Sequence, residues 1–526
     1  MKLRFALLLL LAVTFSCKNK TKAENKVEVT KKKPNILIIF PDQLRRYSAG
    51  FWSESPYKEL AQGKGDPVIT PNIDKLAKNG VVFTNAISNF PLCSPYRGMM
   101  LSGRYPEQNG IWNNCKKGRD YSLKDDIDII PDLFYKAGYN TSYFGKCHWL
   151  KTEPLFDDSG NYVGTEEAPG GHYTNIYDTY IPPGKKRHSI EYFYQALKDE
   201  HFNPRVYSNI PETIEGKQDG ELHLPKMFSA KNEANQIITY LKNQNKRRDP
   251  NKPFCMIWSM NPPHNPWDDE NTDMQVLHEY YDQDKYAKID KKLVVRENAD
   301  LEVANYARHY YANVTSADKY IGLVLNELEK MGELDNTIVM FSSDHGEMLG
   351  SHSNTGKNVF ELESLAIPFI VHWPKGVKSG INDVLFGAPD VLPTAMGLAG
   401  LKEEIPSDIE GVNYASLLLD NKAEKVTKPE AVLIMLGNSR GVMTKRYTLC
   451  VQENKKPWNS DEGSKVEEAY YYDNLNDPYQ LNKIKLQTNP EVSKFLLSSL
   501  GALLEKTNDP WFKKKRFNDL IIYPTL

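Results

Sequence analysis

Cysteine is scarce in this chain, with 6 residues in 526, and their spacing matches neither a zinc knuckle nor a dense disulfide framework. A small stapled fold is therefore excluded, and stability must come from a hydrophobic core. Net charge is lacking too. Sixty-six Lys and Arg against 68 Asp and Glu leave −2, which gives no overall pull toward nucleic acid or anionic membranes. No nucleic-acid partner is expected, and basic clusters such as Lys31-Lys32-Lys33 read as solvated faces or tails. Repeats and low-complexity tracts are absent. No apolar run is long enough for a permanent membrane helix. What remains is ordinary globular composition, 40% hydrophobic and 25% charged, in a chain long enough for one large domain and a smaller one.

The first residues read as targeting rather than fold. Lys2 and Arg4 precede the apolar residues Phe5 to Val13, and Ser16-Cys17 follows, so residues 1–16 are expected to be a signal peptide. Ser16-Cys17 resembles a bacterial lipoprotein cleavage point, which would leave Cys17 lipidated; plain cleavage and secretion is the alternative. Residues 17–33 are polar and charged, a tether. Lys18-Asn19-Lys20 follow in place of acidic residues, so the periplasm, on a lipid anchor, is the expected location and the cell surface the alternative.

Beyond the tether, apolar runs alternate with helical stretches, the pattern of an α/β sheet with helices on both faces. Asn35 to Phe40 is a continuous apolar run, expected to be a strand buried on both sides. Thr70-Pro71-Asn72 predicts a short helix through Lys78, ended by Gly80. Helical spacing also covers Lys231 to Lys242 and Leu301 to Met331. Polar residues collect after each apolar run: Asp42 and Gln43 after Phe40, Lys146 and His148 after Phe144, His264 after Met260, and Asp344 and His345 after Phe341. Open α/β sheets bind ligands where the carboxyl ends of their strands converge. Four such ends with carboxylate, imidazole and ammonium groups predict one polar site.

The segment Pro91-Leu92-Cys93-Ser94-Pro95-Tyr96-Arg97-Gly98 sets a cysteine two residues before a proline and four before an arginine. This register resembles the signature of the formylglycine-dependent sulfatases. Thr70-Pro71-Asn72, Gly103-Arg104-Tyr105-Pro106, Ser343 to Glu347 and Tyr472 to Pro478 are similar to that family's connecting motifs, and the likeness runs from Pro34 to Asn482. It implies an alkaline-phosphatase-like α/β fold, a large mixed sheet flanked by helices, over residues 34–424. A smaller α+β subdomain, a short antiparallel sheet and a helix, is implied over 425–526.

The resemblance also implies roles. Cys93 would be oxidised to formylglycine (3-oxoalanine) by a formylglycine-generating or sulfatase-maturating enzyme. The hydrated aldehyde would attack sulfur with one hydroxyl and release sulfate when the other is deprotonated. Cys93, Asp42, Gln43, Asp344 and His345 would face one metal ion. Oxygen ligands favour Ca²⁺, while Gln43 and His345, which replace oxygen acids or amides common in relatives, leave Mg²⁺, Mn²⁺ or Zn²⁺ as alternatives. Arg97, one helical turn after Cys93, would steady the aldehyde hydrate and a metal ligand. Lys146 and Lys357 would bind sulfate, His148 would be the base of release, and His264 would protonate the leaving oxygen. Lys146 and His148 are expected to point the same way from an extended stretch.

Substrate contacts are a further expectation. Residues 151–230 are rich in Tyr, His, Gly and Pro and are expected to form loops over the site. Trp149, Tyr173, Tyr177 and Trp267 are candidates to stack on sugar rings. His188, His201, His223 and His278 read as surface residues, and Tyr470-Tyr471-Tyr472 as strand core. The expected substrate is a sulfated polysaccharide or its oligosaccharide fragments, algal (ulvan, for example) or glycosaminoglycan. A phosphodiesterase or phosphonate monoester hydrolase of the same superfamily is one rival, and an inactive glycan-binding lipoprotein another.

Overall fold

Strand β1 (Asn35–Pro41) shows why the first apolar run has no polar alternation. Ile36, Ile38 and Phe40 enter the core on one face of the sheet, while Leu37 and Ile39 enter the core on the other. A strand buried on both sides can carry apolar residues at every position.

The computed structural model describes residues 32–60, 65–116, 118–151, 178–197, 200–282, 306–419, 426–453, 466–513 and 520. The expected signal peptide, Cys17, nearly all of the tether, Tyr173, Tyr177 and the expected boundary between residues 424 and 425 lie outside them. Residues Lys33–Leu526 form one unit.

In chain order the further strands of the large sheet are β2 (Val81–Ala86), β3 (Asn140–Gly145), β4 (Tyr192–Ala196) and β5 (Val206–Ser208). They are followed by β6 (Phe254–Met260), β7 (Thr337–Phe341), β8 (Ile370–His372) and β9 (Gly380–Phe386). Their spatial order is β5-β4-β3-β6-β1-β7-β8-β2-β9. The central four, β3, β6, β1 and β7, pair in parallel, so their carboxyl ends emerge side by side. Strands β5 and β8 pair antiparallel with their neighbours, which makes the sheet mixed.

Helices cover both faces. Helix α1 (Pro71–Asn79) starts with proline at its first position, and Asp318 accepts the amides of Asn72 and Ile73. That bond gives the Thr-Pro-Asn segment its physical reason: a distant carboxylate caps the helix. Helix α2 (Cys93–Ser102) packs Tyr96, Met99 and Leu101 into one core. Helices α3 (Ser229–Leu241) and α4 (Ala307–Lys330) join α1 in the other. Helix α5 (Pro490–Lys506) belongs to the C-terminal part.

There β10 (Val432–Leu436), β11 (Ser439–Met443), β12 (Tyr447–Glu453), β13 (Val466–Asp473) and β14 (Ile484–Lys485) form an antiparallel meander. Leu496, Leu500 and Leu504 of α5 share a core with Leu433, Leu449 and Tyr471. The opposite face, with Ile434, Tyr470 and Tyr472, packs on Ile87, Phe360 and Leu365. The three consecutive tyrosines are strand core.

Two expectations need correction. Part of the stretch 151–230 is sheet, since β4 and β5 extend it beyond β3. Tyr192, Phe193 and Tyr194 alternate between the two cores there, which is why an aromatic-rich segment is buried. The surface assignment of three histidines also fails. His201 and His223 are buried, and His188 Nδ1 hydrogen-bonds to the Asp132 carboxylate at 2.9 Å. Polar neighbours in sequence were not their neighbours in space. His278 is exposed.

Candidate active site

The ends of the four central strands converge on Cys93, the first residue of α2. Asp42 and Gln43 follow β1, Lys146 and His148 follow β3, His264 follows β6, and Asp344 and His345 follow β7. All of these are buried. Two glycines permit the approach. A side chain on Gly145 (φ 93°) would lie 1.9 Å from the Ser259 carbonyl, and one on Gly346 equally close to that of Glu363. Gln43 and His148 have φ of 66° and 53°, which costs non-glycine residues roughly 1 kcal/mol or more each. His148 therefore does not continue an extended stretch from Lys146, as alternation implied; the chain turns between them.

Arg97 ties the strand ends together. Its guanidinium reaches Asp42 at 2.9 Å, Asp344 at 3.2 Å and the Lys146 carbonyl at 2.8 Å, and it also donates to Ser259. Lys146 donates to the same Asp42 carboxylate. Burial and Cys93 push the Asp42 carboxyl up, but Lys146, His264 and Arg97 outweigh them and hold it well below the usual carboxylate range. Burial likewise raises the Cys93 thiol, yet Lys146, Lys357 and His345, with His148 adding to them, bring it well below its ordinary value. The positive groups thus favour an anion at this position.

Asp42, Cys93, Asp344 and His345 each offer a ligand atom within 4.8 Å of the others, a group that could hold a metal ion. His345 Nδ1 donates to the Gly346 carbonyl at 3.0 Å, which directs Nε2 toward the cluster, 3.3 Å from Cys93 Sγ. Such a bond fixes the tautomer of a ligating histidine. Burial and then Asp42 raise Asp344, and Asp344 raises His345 despite its burial. Two carboxylates and an imidazole nitrogen fit a divalent cation. Gln43 lies beside the group: its backbone N–H donates to Asp344 at 2.9 Å and its side-chain oxygen accepts from Lys357.

Two histidines face Cys93 from other sides. His148 Nε2 lies 3.1 Å from the Cys115 carbonyl; a carbonyl only accepts, so Nε2 donates, and in the neutral ring Nδ1 is the bare nitrogen. That Nδ1 has no hydrogen-bond partner among the described residues. His264 Nδ1 donates to the Asn265 carbonyl at 2.7 Å, and its Nε2 is 3.0 Å from Lys357 Nζ. Burial, then Lys357, push His264 down to about 3.

Of the stacking candidates, Trp149 is placed elsewhere: it is 1% exposed, packs edge-on against Tyr143 and donates to the Lys186 carbonyl. A core ring cannot stack on a sugar. Trp267 is half-buried and stacks on Tyr306 with centroids 4.2 Å apart. Sequence reasoning gave no role to Ser259 or Glu347. Glu347 had a signal, an acidic residue three after Asp344, whereas Ser259 had none.

The sulfatase family model matches residues 34–401. The chain is 37% identical to an endo-4-O-sulfatase of Bacteroides thetaiotaomicron over 95% of its own length and 98% of that protein. It is 31% identical to an ulvan-active sulfatase of Formosa agariphila, covering 93% and 84%. Among solved structures, one from work on glycosaminoglycan metabolism by Bacteroides thetaiotaomicron superposes with a TM-score of 0.84 at 37% identity, covering 94% of this chain and all of that one. A phosphonate monoester hydrolase of Agrobacterium radiobacter shares the fold alone, at 0.60 and 19% identity, covering 90% and 96%.

Proposed function

Since the chain belongs to the sulfatase family and is a sulfuric ester hydrolase, we propose that it desulfates a sulfated polysaccharide or its oligosaccharide fragments. A 4-O-sulfated glycosaminoglycan is the leading substrate, because the full-length relative at 37% identity is an endo-4-O-sulfatase. Ulvan is the second choice, on the relative at 31%. The observation that carries the reading is Cys93 at the head of α2, enclosed by two lysines and two histidines beside a buried carboxylate pair. A phosphodiester reading rests on a shared fold only, which does not specify chemistry.

We infer that Cys93 is converted to formylglycine, whose hydrate supplies an oxygen nucleophile and a second hydroxyl for release of sulfate. Asp42, Asp344 and His345, with Gln43 at the margin, would hold one Ca²⁺, which would offset charge on the sulfate oxygens. The chain's own groups supply the rest. Lys146 and Lys357 neutralise the anionic ester, and Arg97 keeps the carboxylates in place. The bare Nδ1 of His148 suits a base beside position 93. His264 faces Lys357, and an incoming sulfate would add the negative charge that makes its protonation favourable, so that it can protonate the leaving alcohol. Trp267 would present its ring to the sugar. Export as a periplasmic lipoprotein through Cys17 suits fragments already cut from a polymer.

Mass spectrometry of the Cys93 peptide, metal content of the purified protein, and a panel of sulfated glycans with one phosphodiester test this together. Release of sulfate from a 4-O-sulfated glycosaminoglycan or ulvan fragment, by protein carrying the aldehyde, is the expected result. Full activity from the thiol form, or hydrolysis of the phosphodiester alone, would refute it.

A further inference from the structure

Glu347 is fully buried and the site described above gives it no task. One carboxylate oxygen accepts from the Tyr306 hydroxyl at 2.6 Å, the Gly356 amide at 2.8 Å and the Leu349 amide at 3.1 Å. The other accepts from the side-chain amide of Gln43. A carboxylate only accepts, so the NH₂ of Gln43 must face Glu347. The amide oxygen is thereby turned the opposite way, where it accepts from Lys357 Nζ. The same ammonium lies 3.0 Å from His264 Nε2. Tyr306, held by Glu347, also carries the stacked ring of Trp267.

We propose that Glu347 is a positioning residue that fixes the orientation of the Gln43 amide and so aims Lys357 at His264. An isolated glutamine can present either end to a cation, and the wrong end would repel the ammonium. With an acceptor-only partner behind it, only one orientation keeps all the hydrogen bonds. The carboxylate, the amide, the ammonium and the imidazole then form one line from the Trp267–Tyr306 wall to the proposed proton donor. The inference rests on the proposed role of His264 for its kinetic consequence, but its geometric consequence stands apart.

A double-mutant cycle on the full-length, metal-loaded protein tests it. In Glu347→Gln the new amide oxygen still accepts from Tyr306, Leu349 and Gly356, which preserves the fold, but its NH₂ then faces Gln43 and turns that amide over, with the Gln43 NH₂ toward Lys357. In Gln43→Glu two carboxylates face each other. In the double variant the amide at 347 donates to the carboxylate at 43, and an oxygen again faces Lys357. Glu347→Gln should lose about 10²-fold in kcat/KM on a sugar sulfate, the scale of a misplaced proton donor. The double variant should recover most of the loss. Crystal structures of the variants supply a second measure independent of any substrate: the Lys357 Nζ to His264 Nε2 distance, 3.0 Å here, should exceed hydrogen-bond range in Glu347→Gln and return in the double. No recovery in the double variant, or an unchanged distance in Glu347→Gln, would overturn the proposal. Were the distance to change as expected with no loss on the sugar sulfate, the positioning would stand and the proton-donor reading of His264 would fall.

Discussion

His148 and His264 are both buried next to Cys93, and their hydrogen bonds assign them different protons. The Cys115 carbonyl takes the Nε2 proton of His148 and leaves Nδ1 bare, whereas the Asn265 carbonyl takes the Nδ1 proton of His264 and leaves Nε2 to Lys357. Opposite tautomers suit opposite tasks, and the two should separate kinetically. His264→Ala should lower kcat/KM about 10² to 10³-fold on sugar sulfates, whose leaving groups need a proton, and under about tenfold on 4-nitrophenyl sulfate. Equal losses on both would remove the leaving-group role. For His148→Ala the first turnover should outrun later ones, seen as a burst of desulfated product in rapid-quench assays. A linear time course at reduced rate would contradict the release role.

Between elements, another buried carboxylate, Glu233, lies where α3 packs on β3 and β6. Glu233 accepts the Trp258 indole N–H at 2.7 Å, and its other oxygen has no partner among the described residues. Burial, against that one hydrogen bond, pushes it from 4.5 up to about 8. An acid whose folded pKa is raised stays protonated in the fold after the unfolded chain has ionised. The folded state then holds the extra proton, and stability falls as pH rises from about 4.5 to about 8, with no further change above. Glu233→Gln keeps an acceptor for Trp258 and has no proton to lose. Its melting temperature should exceed that of the wild type increasingly from pH 5 to pH 8, by a margin equivalent to about 1–3 kcal/mol at the upper end. Parallel melting curves across that range would show that Glu233 is not held protonated.

Across the whole molecule, the C-terminal sheet is joined to the catalytic part by two cores and by specific hydrogen bonds. Phe360 and Leu365, just after Lys357, are buried under Ile434 and Tyr472. Tyr472 donates to Glu361 at 3.0 Å, and the Leu362 amide donates to Gln480 at 2.7 Å. Asn89, four residues before Cys93, exchanges hydrogen bonds with β10 through Leu433 and Met435. The sheet thus braces the segments that carry Lys357 and Cys93. A chain ended at residue 419 would expose Ile87, Phe360 and Leu365, so it should fail to accumulate as folded protein, as gel filtration and limited proteolysis would show. A soluble, active truncate would mean that the sheet braces nothing.

Composition, periodicity and motif spacing by themselves determined the sheet-and-helix class, the central strands, α1, α3 and the residues that gather at the strand ends. These signals are local: burial on both faces leaves an unbroken apolar run, and a strand end is marked by the polar residues just after it. Helix α4 was legible in the same way from Ala307 onward. Only the tertiary structure decided that β4 and β5 join the sheet, that Trp149 is core and that His201 and His223 are buried, because each depends on partners distant in sequence. The turn at His148, the opposed histidine tautomers and the facing of the Gln43 amide belong to the same class. The Cys115 carbonyl, 33 residues from His148, sets that ring's tautomer, and the Glu347 carboxylate, 304 residues from Gln43, sets the facing of its amide; no spacing rule within one segment contains that information.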